Sequence, residues 1–369
     1  MKSAELNNLS AFRDPQRAAG MLQHLKQTIT RKWVIMEMCG GQTHALMQSG
    51  IDQLLESEIE FIHGPGCPVC VTSLALIDQA IQLAHLPNVI LTTYGDMLRV
   101  PGSDANLFAA RASGCDVRVV YAALDALKIA KENPDKEVVF FGIGFETTAP
   151  ANGISVLQAA RTGIRNYSVL VSQVRVPPAL DLILSAPDNR VQGFLAAGHV
   201  CAVMGTSEYI PLSQKYRVPI SVTGFEPVDL LAGILMVIND LESGTWQVSN
   251  AYPRGVSAQG NPGALAIIHE IYEPCDRDWR GIGLIPDSGW RLKQKFTAYD
   301  AEQKFNIPAG PNQESEICIA GLILRGLKSP QDCPAFGLNC TPENPLGAAM
   351  VSGEGTCAAY YRYRRGDHA

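Results

Sequence analysis

Cys67 and Cys70 stand three residues apart in the stretch "HGPGCPVC" (63–70), among two glycines and two prolines. Such a pair can cycle between dithiol and disulfide, supply half of a metal site, or simply be buried. Pro68 suits the first position of a helix running on through "VCVTSLALIDQAI". That would set Cys67 at the helix N-terminus, where the dipole favours thiolate. Cys70 then falls one turn on, within reach of a disulfide. No second close pair exists to complete a zinc site, so thiol–disulfide exchange is the favoured chemistry. Cys39 in "MEMCGGQTHA" is a third thiol, ending an apolar run, with two glycines leaving room for a ligand beside its sulfur.

The C-terminal part carries Cys318, Cys333, Cys340 and Cys357 in the pattern C-x14-C-x6-C-x16-C. Structural zinc usually takes close Cys-x2–4-Cys knuckles, and this segment has none. Four thiolates on four separate loops favour an iron–sulfur cluster over zinc, with plain buried thiols as the third reading. Cys115, Cys201 and Cys275 have no partner at motif spacing and read as structural. His44, His63 and His199 sit on glycine-rich turns, where a loop hydrogen bond is the simplest role; a site role is plausible for His44 and His199. Glu146 in "GFETTAP" and Glu354 in "SGEGTC" could cap helices or move protons. "GIGFE" lacks the third glycine and the downstream acid of a dinucleotide fingerprint, and no GxxxxGK[ST] occurs, so no ordinary nucleotide site is indicated.

These residues need a scaffold, and the 369-residue chain is long enough for two or three domains. Apolar content of 46% with 18% charged residues is that of a globular chain. The net charge of −6 speaks against nucleic acid. The one basic cluster, "RYRR" (362–365), reads as a solvated tail. The N-terminus has no apolar signal core, and the longest strongly apolar run, 230–238, falls far short of the roughly 20 residues of a membrane span. A cytoplasmic location is expected, where ten cysteines point to metal or thiol chemistry rather than structural disulfides.

After an amphipathic helix with Met21, Leu22, Leu25 and Ile29 at helical spacing, short apolar runs at 33–38, 59–64, 88–95 and 117–122 alternate with helical stretches. A second set follows at 137–144, 166–172, 191–198 and 218–224. The segments echo one another, "VIMEMCGGQTHA" with "VVFFGIGFETTAP" and "EFIHGPGCPVC" with "GFLAAGHVCAVMG". The expectation is two similar Rossmann-like α/β domains with parallel sheets facing a cleft, over residues 1–135 (with Cys39, Cys67 and Cys70) and 136–240. A smaller cysteine-punctuated unit follows over 241–369. In such sheets the turns at the carboxyl ends of strands carry the site.

Taken in order, "CGGQTHA", "FIHGPGCPVCV", "TYGDMLRVPGS", "FFGIGFETTAP", "AAGHVCAVMG", "GFEPVDLL" and "CPAFGLNCTPENPLGAAMVSGEGTCAAYY" closely resemble the HypD family of hydrogenase maturation factors across nearly the whole chain. The resemblance implies a [4Fe–4S] cluster on Cys318, Cys333, Cys340 and Cys357 in the C-terminal domain. It implies a scaffold for the Fe(CN)₂CO centre of [NiFe]-hydrogenases, working with a HypC-type small chaperone and a HypE-type cyanide carrier and serving the hydrogenase large subunit indirectly. The free protein would be a monomer. Cys39 would hold the iron that carries CN and CO, Cys67 and Cys70 would be the redox pair, and His44, His199 and Glu354 would assist. The alternative is a stand-alone iron–sulfur-dependent thiol–disulfide oxidoreductase acting on another protein; a zinc-stabilised binding module is a further one. Gln42 replaces the first histidine of the family's usual CGGHTH, so that position is no essential base or ligand here. Ala320 stands where many relatives have a further cysteine, leaving Cys318 as that segment's ligand. Cys201 stands where relatives often have serine.

Overall fold

The computed structural model describes residues 9–308, 310 and 314–364. Eleven strands build two sheets: β1 Trp33–Glu37, β2 Ile59–His63, β3 Val89–Thr93, β4 Val117–Val119, β5 Glu137–Gly144, β6 Tyr167–Val174, β7 Gly193–Ala197, β8 Ile220–Thr223, β9 Val248–Asn250, β10 Tyr272–Trp279 and β11 Gly283–Leu292. The first sheet has the order β2-β1-β7-β8-β9 and is parallel throughout. The second has the order β10-β11-β6-β5-β3-β4, parallel from β6 to β4 and closed by the antiparallel hairpin β10–β11.

All eight expected strands form, and the central ones are buried on both faces by the helices between them. Every residue of β3 and β6 is buried. One face of the first sheet is covered by the helices Pro15–Thr28 and Pro227–Ser243, through Leu25, Leu230, Ile234 and Val237. Its other face packs Met36, Phe194, Ile220 and Val222 against the helix Val176–Ser185 and reaches Phe145, Val174 and Trp279 of the second sheet's side. The helix Leu74–Ala84 and the C-terminal segment share a core on one face of the second sheet, with Ile77, Ala80, Ile323 and Ala348 in it.

The sheets are not divided at the expected boundaries. The chain lays down β1 and β2 in the first sheet, crosses for β3 to β6, returns for β7 to β9, and crosses again for the hairpin. Neither 1–135 nor 136–240 contains a whole sheet. The alternation of strand and helix is a local signal, whereas sheet membership is set by pairing partners far apart in sequence. Residues 248–292 are likewise not the start of the cysteine unit: they complete both sheets. Strand β10, "YEPCDRDW", is a charged edge strand and so shows no apolar alternation. Of the basic cluster, Arg362 is exposed, but Arg364 is buried and forks onto the Asp52 carboxylate. Arg365 lies outside the described residues. Among the described residues no helix is long and apolar enough to cross a membrane.

Candidate functional site

Strands β2, β1 and β7 are neighbours, and the turns at their carboxyl ends carry Cys67, Cys39 and His199 respectively. The glycines of the two cysteine turns explain how the segments nest. A Cβ on Gly66 would lie 2.2 Å from the Cys39 nitrogen, and one on Gly40 would lie 2.2 Å from the Glu354 carbonyl oxygen. The Gly64 N–H donates to the Glu37 carbonyl at 2.8 Å and the Gly40 N–H to that of Gly66 at 3.2 Å. The β1 turn, the β2 turn and the segment before Cys357 therefore close on one another through bare backbone.

Cys39 is the N-cap of the helix Gly40–Ser49 and is buried. Its Sγ lies 3.9 Å from His199 Nδ1, and the His199 ring stacks on Phe225 at 5.2 Å between centroids. Burial pushes the Cys39 thiol well up, and the charges of Glu37 and Glu354 add to this, against backbone N–H groups of Gln42 and Gly41. Burial lowers His199 to about 4, so its imidazole is neutral at pH 7 and can accept a hydrogen bond. Beneath the turn, the wholly buried Glu37 carboxylate accepts from the Cys39 N–H at 2.8 Å, from the Thr43 hydroxyl, and pairs with His63 Nδ1 at 2.7 Å. Gln42 is also buried; its amide donates to Ala196 O at 3.2 Å and Thr223 Oγ1 at 2.6 Å. It ties its helix to β7 and β8 and stands as a structural residue.

The helix expected after Cys67 is only one turn, Pro68–Val71, with Cys67 as N-cap and Pro68 first as anticipated. It stops at Thr72, which is extended, bridges to Trp279 and donates its hydroxyl to Pro68 O at 2.8 Å; Ser73 then caps a separate helix Leu74–Ala84. The long dipole anticipated behind Cys67 is thus absent. The Cys70 N–H donates to Cys67 O at 3.0 Å. Burial first, then hydrogen bonding with Cys67, holds the Cys70 thiol well above its ordinary range. These two thiols touch each other as the three-residue spacing anticipates. Cys70 also faces the C-terminal segment: its Sγ is 3.8 Å from Ala348 O, and a Cβ on Gly355 would come within 3.1 Å of it.

Cys318, Cys333, Cys340 and Cys357 line one apolar pocket with Ile319, Ala335, Phe336, Leu346 and Met350. A second cavity of about 280 Å³ has both Cys70 and Cys318 in its wall. Burial raises the Cys357 and Cys318 thiols, and the neighbouring cysteines raise them further. Among the described residues no three His, Cys, Asp or Glu side chains converge on a position for a single metal ion. All ten cysteines are free thiols. The Leu346 N–H points at Cys340 Sγ, 3.4 Å away.

A cleft of about 710 Å³ separates the two sheets' carboxyl edges. Gly41, His44, Pro68 and Glu354 form one side, and Tyr94, Asp96, Tyr121 and Thr148 the other. His44 meets Tyr363, whose hydroxyl is 3.2 Å from Nε2; burial and then Arg362 lower its pKa. Burial and then Asp96 raise that of Glu354. Glu146 is not in the cleft wall: it accepts the Val176 N–H at 2.8 Å and is raised to about 7 by burial. Buried Cys201 lies near it and is pushed up to about 12 by burial. Cys115 and Cys275 are half-buried and are not part of the four-thiol pocket's wall. The structure brings Cys39 to His199, and Cys67 and Cys70 to the C-terminal segment. It adds Glu37, Phe225, Asp96 and Tyr360 to the surroundings. Asp96, Phe225 and Tyr360 lie inside the quoted motifs without standing out there, whereas Glu37 is a lone carboxylate inside the apolar strand "WVIME".

The fold and site define a class: a two-sheet α/β protein whose carboxyl-end turns gather thiols beside a small four-thiol unit. The sequence profile of the HypD family, described as "Hydrogenase formation hypA family", matches residues 16–364. The hydrogenase maturation factor HypD of Rhodobacter capsulatus is 45% identical over 96% of this chain and 97% of its own. Those of Azotobacter vinelandii and Escherichia coli K12 are 46% identical over 91% of this chain and 90% of their counterpart, and 42% identical over 96% and 97%, respectively. The chain belongs to the HypD family of hydrogenase formation proteins.

Proposed function

We propose that this chain works in hydrogenase maturation as a redox-active scaffold. With a HypC-type small chaperone it holds an iron while cyanide and carbonyl ligands are attached, the cyanide coming from a HypE-type carrier and the product going onward to the hydrogenase large subunit. The observation that carries the reading is the convergence of three kinds of thiol site: Cys39 against His199 behind the cleft, the Cys67–Cys70 pair flanking the wall residues Pro68 and Val69, and the four-cysteine pocket, whose Cys318 shares a cavity with Cys70.

Each part follows from its surroundings. Iron that carries cyanide and carbonyl is soft and takes thiolate ligands. Cys39 supplies one thiolate, and burial keeps that thiol protonated until a cation arrives. His199 offers a neutral ring nitrogen at 3.9 Å to orient the sulfur. Glu354 and His44 line the cleft where a ligand or partner thiol would approach. Cys67 and Cys70 form and break a disulfide, releasing or taking two electrons and two protons. Cys318, Cys333, Cys340 and Cys357 would hold a [4Fe–4S] group, which supplies single electrons beside Cys70. The free protein in this reading is a cytoplasmic monomer. A stand-alone thiol–disulfide oxidoreductase would leave the Cys39–His199 pair without a task, and the family match over residues 16–364 does not favour it.

Anaerobically purified protein is expected to be brown and to carry about four irons and four sulfides per chain. A colourless protein with one zinc would overturn the redox reading.

A further inference from the structure

His63 ends β2 with its imidazole buried, and nothing in the proposed chemistry uses it. Its Nδ1 lies 2.7 Å from Glu37 Oε1. The same carboxylate takes the Cys39 N–H on Oε2 and the Thr43 hydroxyl on Oε1. Cys39 caps its helix and Thr43 lies one turn in, so Glu37 pins the thiol-bearing turn at two points. Because Glu37 is wholly buried, loss of this donor leaves its Oε1 with the Thr43 hydroxyl as the remaining partner in the fold. On its other side the His63 ring meets Tyr360 edge-on, 5.7 Å between centroids. Tyr360 is one turn beyond Cys357 on the helix Thr356–Tyr363, and Cys357 lines the four-thiol pocket.

We propose that His63 is a positioning residue for Cys39: through Glu37 it fixes the turn that carries the thiol, and through Tyr360 it ties that turn to the helix bearing Cys357. The significance for iron handling rests on the role proposed above for Cys39; the placement of the turn does not. A loosened turn exposes the Cys39 thiol, which the fold otherwise keeps buried.

The test is alkylation of the full chain by iodoacetamide under anaerobic, reducing conditions, with the rate at each cysteine read by peptide mass spectrometry. Cys115 and Cys275, half-buried elsewhere, serve as internal references. His63→Phe keeps the bulk and removes the donor. It should speed labelling at Cys39 about fivefold, the opening expected on losing one such hydrogen bond, with the references unmoved. His63→Asn, whose amide nitrogen occupies the place of Nδ1, should return the rate to within about twofold of wild type. Tyr360→Leu should raise it about twofold. Unchanged labelling at Cys39 in His63→Phe, an equal rise at the reference cysteines, or failure of His63→Asn to restore the rate overturns the proposal. If His63→Phe does not fold, Tyr360→Leu decides: no rise at Cys39 overturns it. The readout needs neither iron nor a partner, so it stands or falls separately from the maturation reading.

Discussion

The chain keeps its site thiols in two contrasting environments. Around Cys39 the neighbours are polar and hydrogen-bonded: His199 at the sulfur, and Glu37, Thr43 and His63 beneath it. Around Cys318, Cys333, Cys340 and Cys357 the pocket is walled by Ile319, Ala335, Phe336, Leu346 and Met350. Burial raises thiols in both places, but only the first supplies a neutral imidazole and a cleft beside it. An apolar pocket suits a group that is loaded once and kept from solvent; a polar turn at a cleft suits a ligand that comes and goes. Cys70 stands between them, touching Cys67 on one side and the Ala348 and Gly355 backbone on the other.

The largest effect that separates the two regions should come from Cys357→Ser. It should abolish iron and sulfide binding in purified protein, whereas Cys39→Ala should leave both at the wild-type level; equal losses in the two variants would break the contrast. Next come the glycines that let the turns nest. Gly66→Ala forces a Cβ to 2.2 Å from the Cys39 nitrogen and should cost about 1–3 kcal/mol in denaturant unfolding. Gly353→Ala, with open space around the added atom, should change stability by less than about 0.5 kcal/mol. A similar cost at both positions would mean that the nesting of backbone is not what holds the Cys39 turn.

A smaller effect sharpens the distinction between site carboxylates and structural ones. Glu146 has its folded pKa raised to about 7 by burial, so the fold binds its proton more tightly than the unfolded chain does. Its contribution to stability is present below the unfolded value near 4.5 and is lost as pH rises through about 7. Glu146→Gln should therefore flatten the fall in stability between pH 5 and pH 8 by about 2 kcal/mol, measured by unfolding at each pH. An unaltered pH profile would show that Glu146 is not held protonated by the fold.

The legible part of the molecule was the local part. Apolar strands such as β3 and β5 announce themselves because each is buried on both faces, and the spacing of Cys67 and Cys70 set them on one short turn. The carboxyl-end rule then set Cys39, Cys67 and His199 each on a turn after a strand, since it depends on strand direction alone; that all three share one sheet edge came from the pairing of β2, β1 and β7. What the chain could not reveal locally is which sheet a strand joins: β2 and β3 are consecutive yet lie in different sheets. The break at Thr72 was hidden because the bridge it makes there is to Trp279, far away in sequence, inside an otherwise helical pattern. Glu37 is a lone carboxylate in an apolar strand, and its purpose needs His63 and Cys39 in view together.

The most direct measurement is infrared spectroscopy of the complex with a HypC-type partner, assembled with the HypE-type carrier and with either the wild-type chain or Cys39→Ala. Bands of iron-bound cyanide and carbonyl are expected in the wild-type complex and should vanish in Cys39→Ala, while its cluster absorption and iron–sulfide content stay intact. Persistence of those bands without the Cys39 thiol would contradict the account.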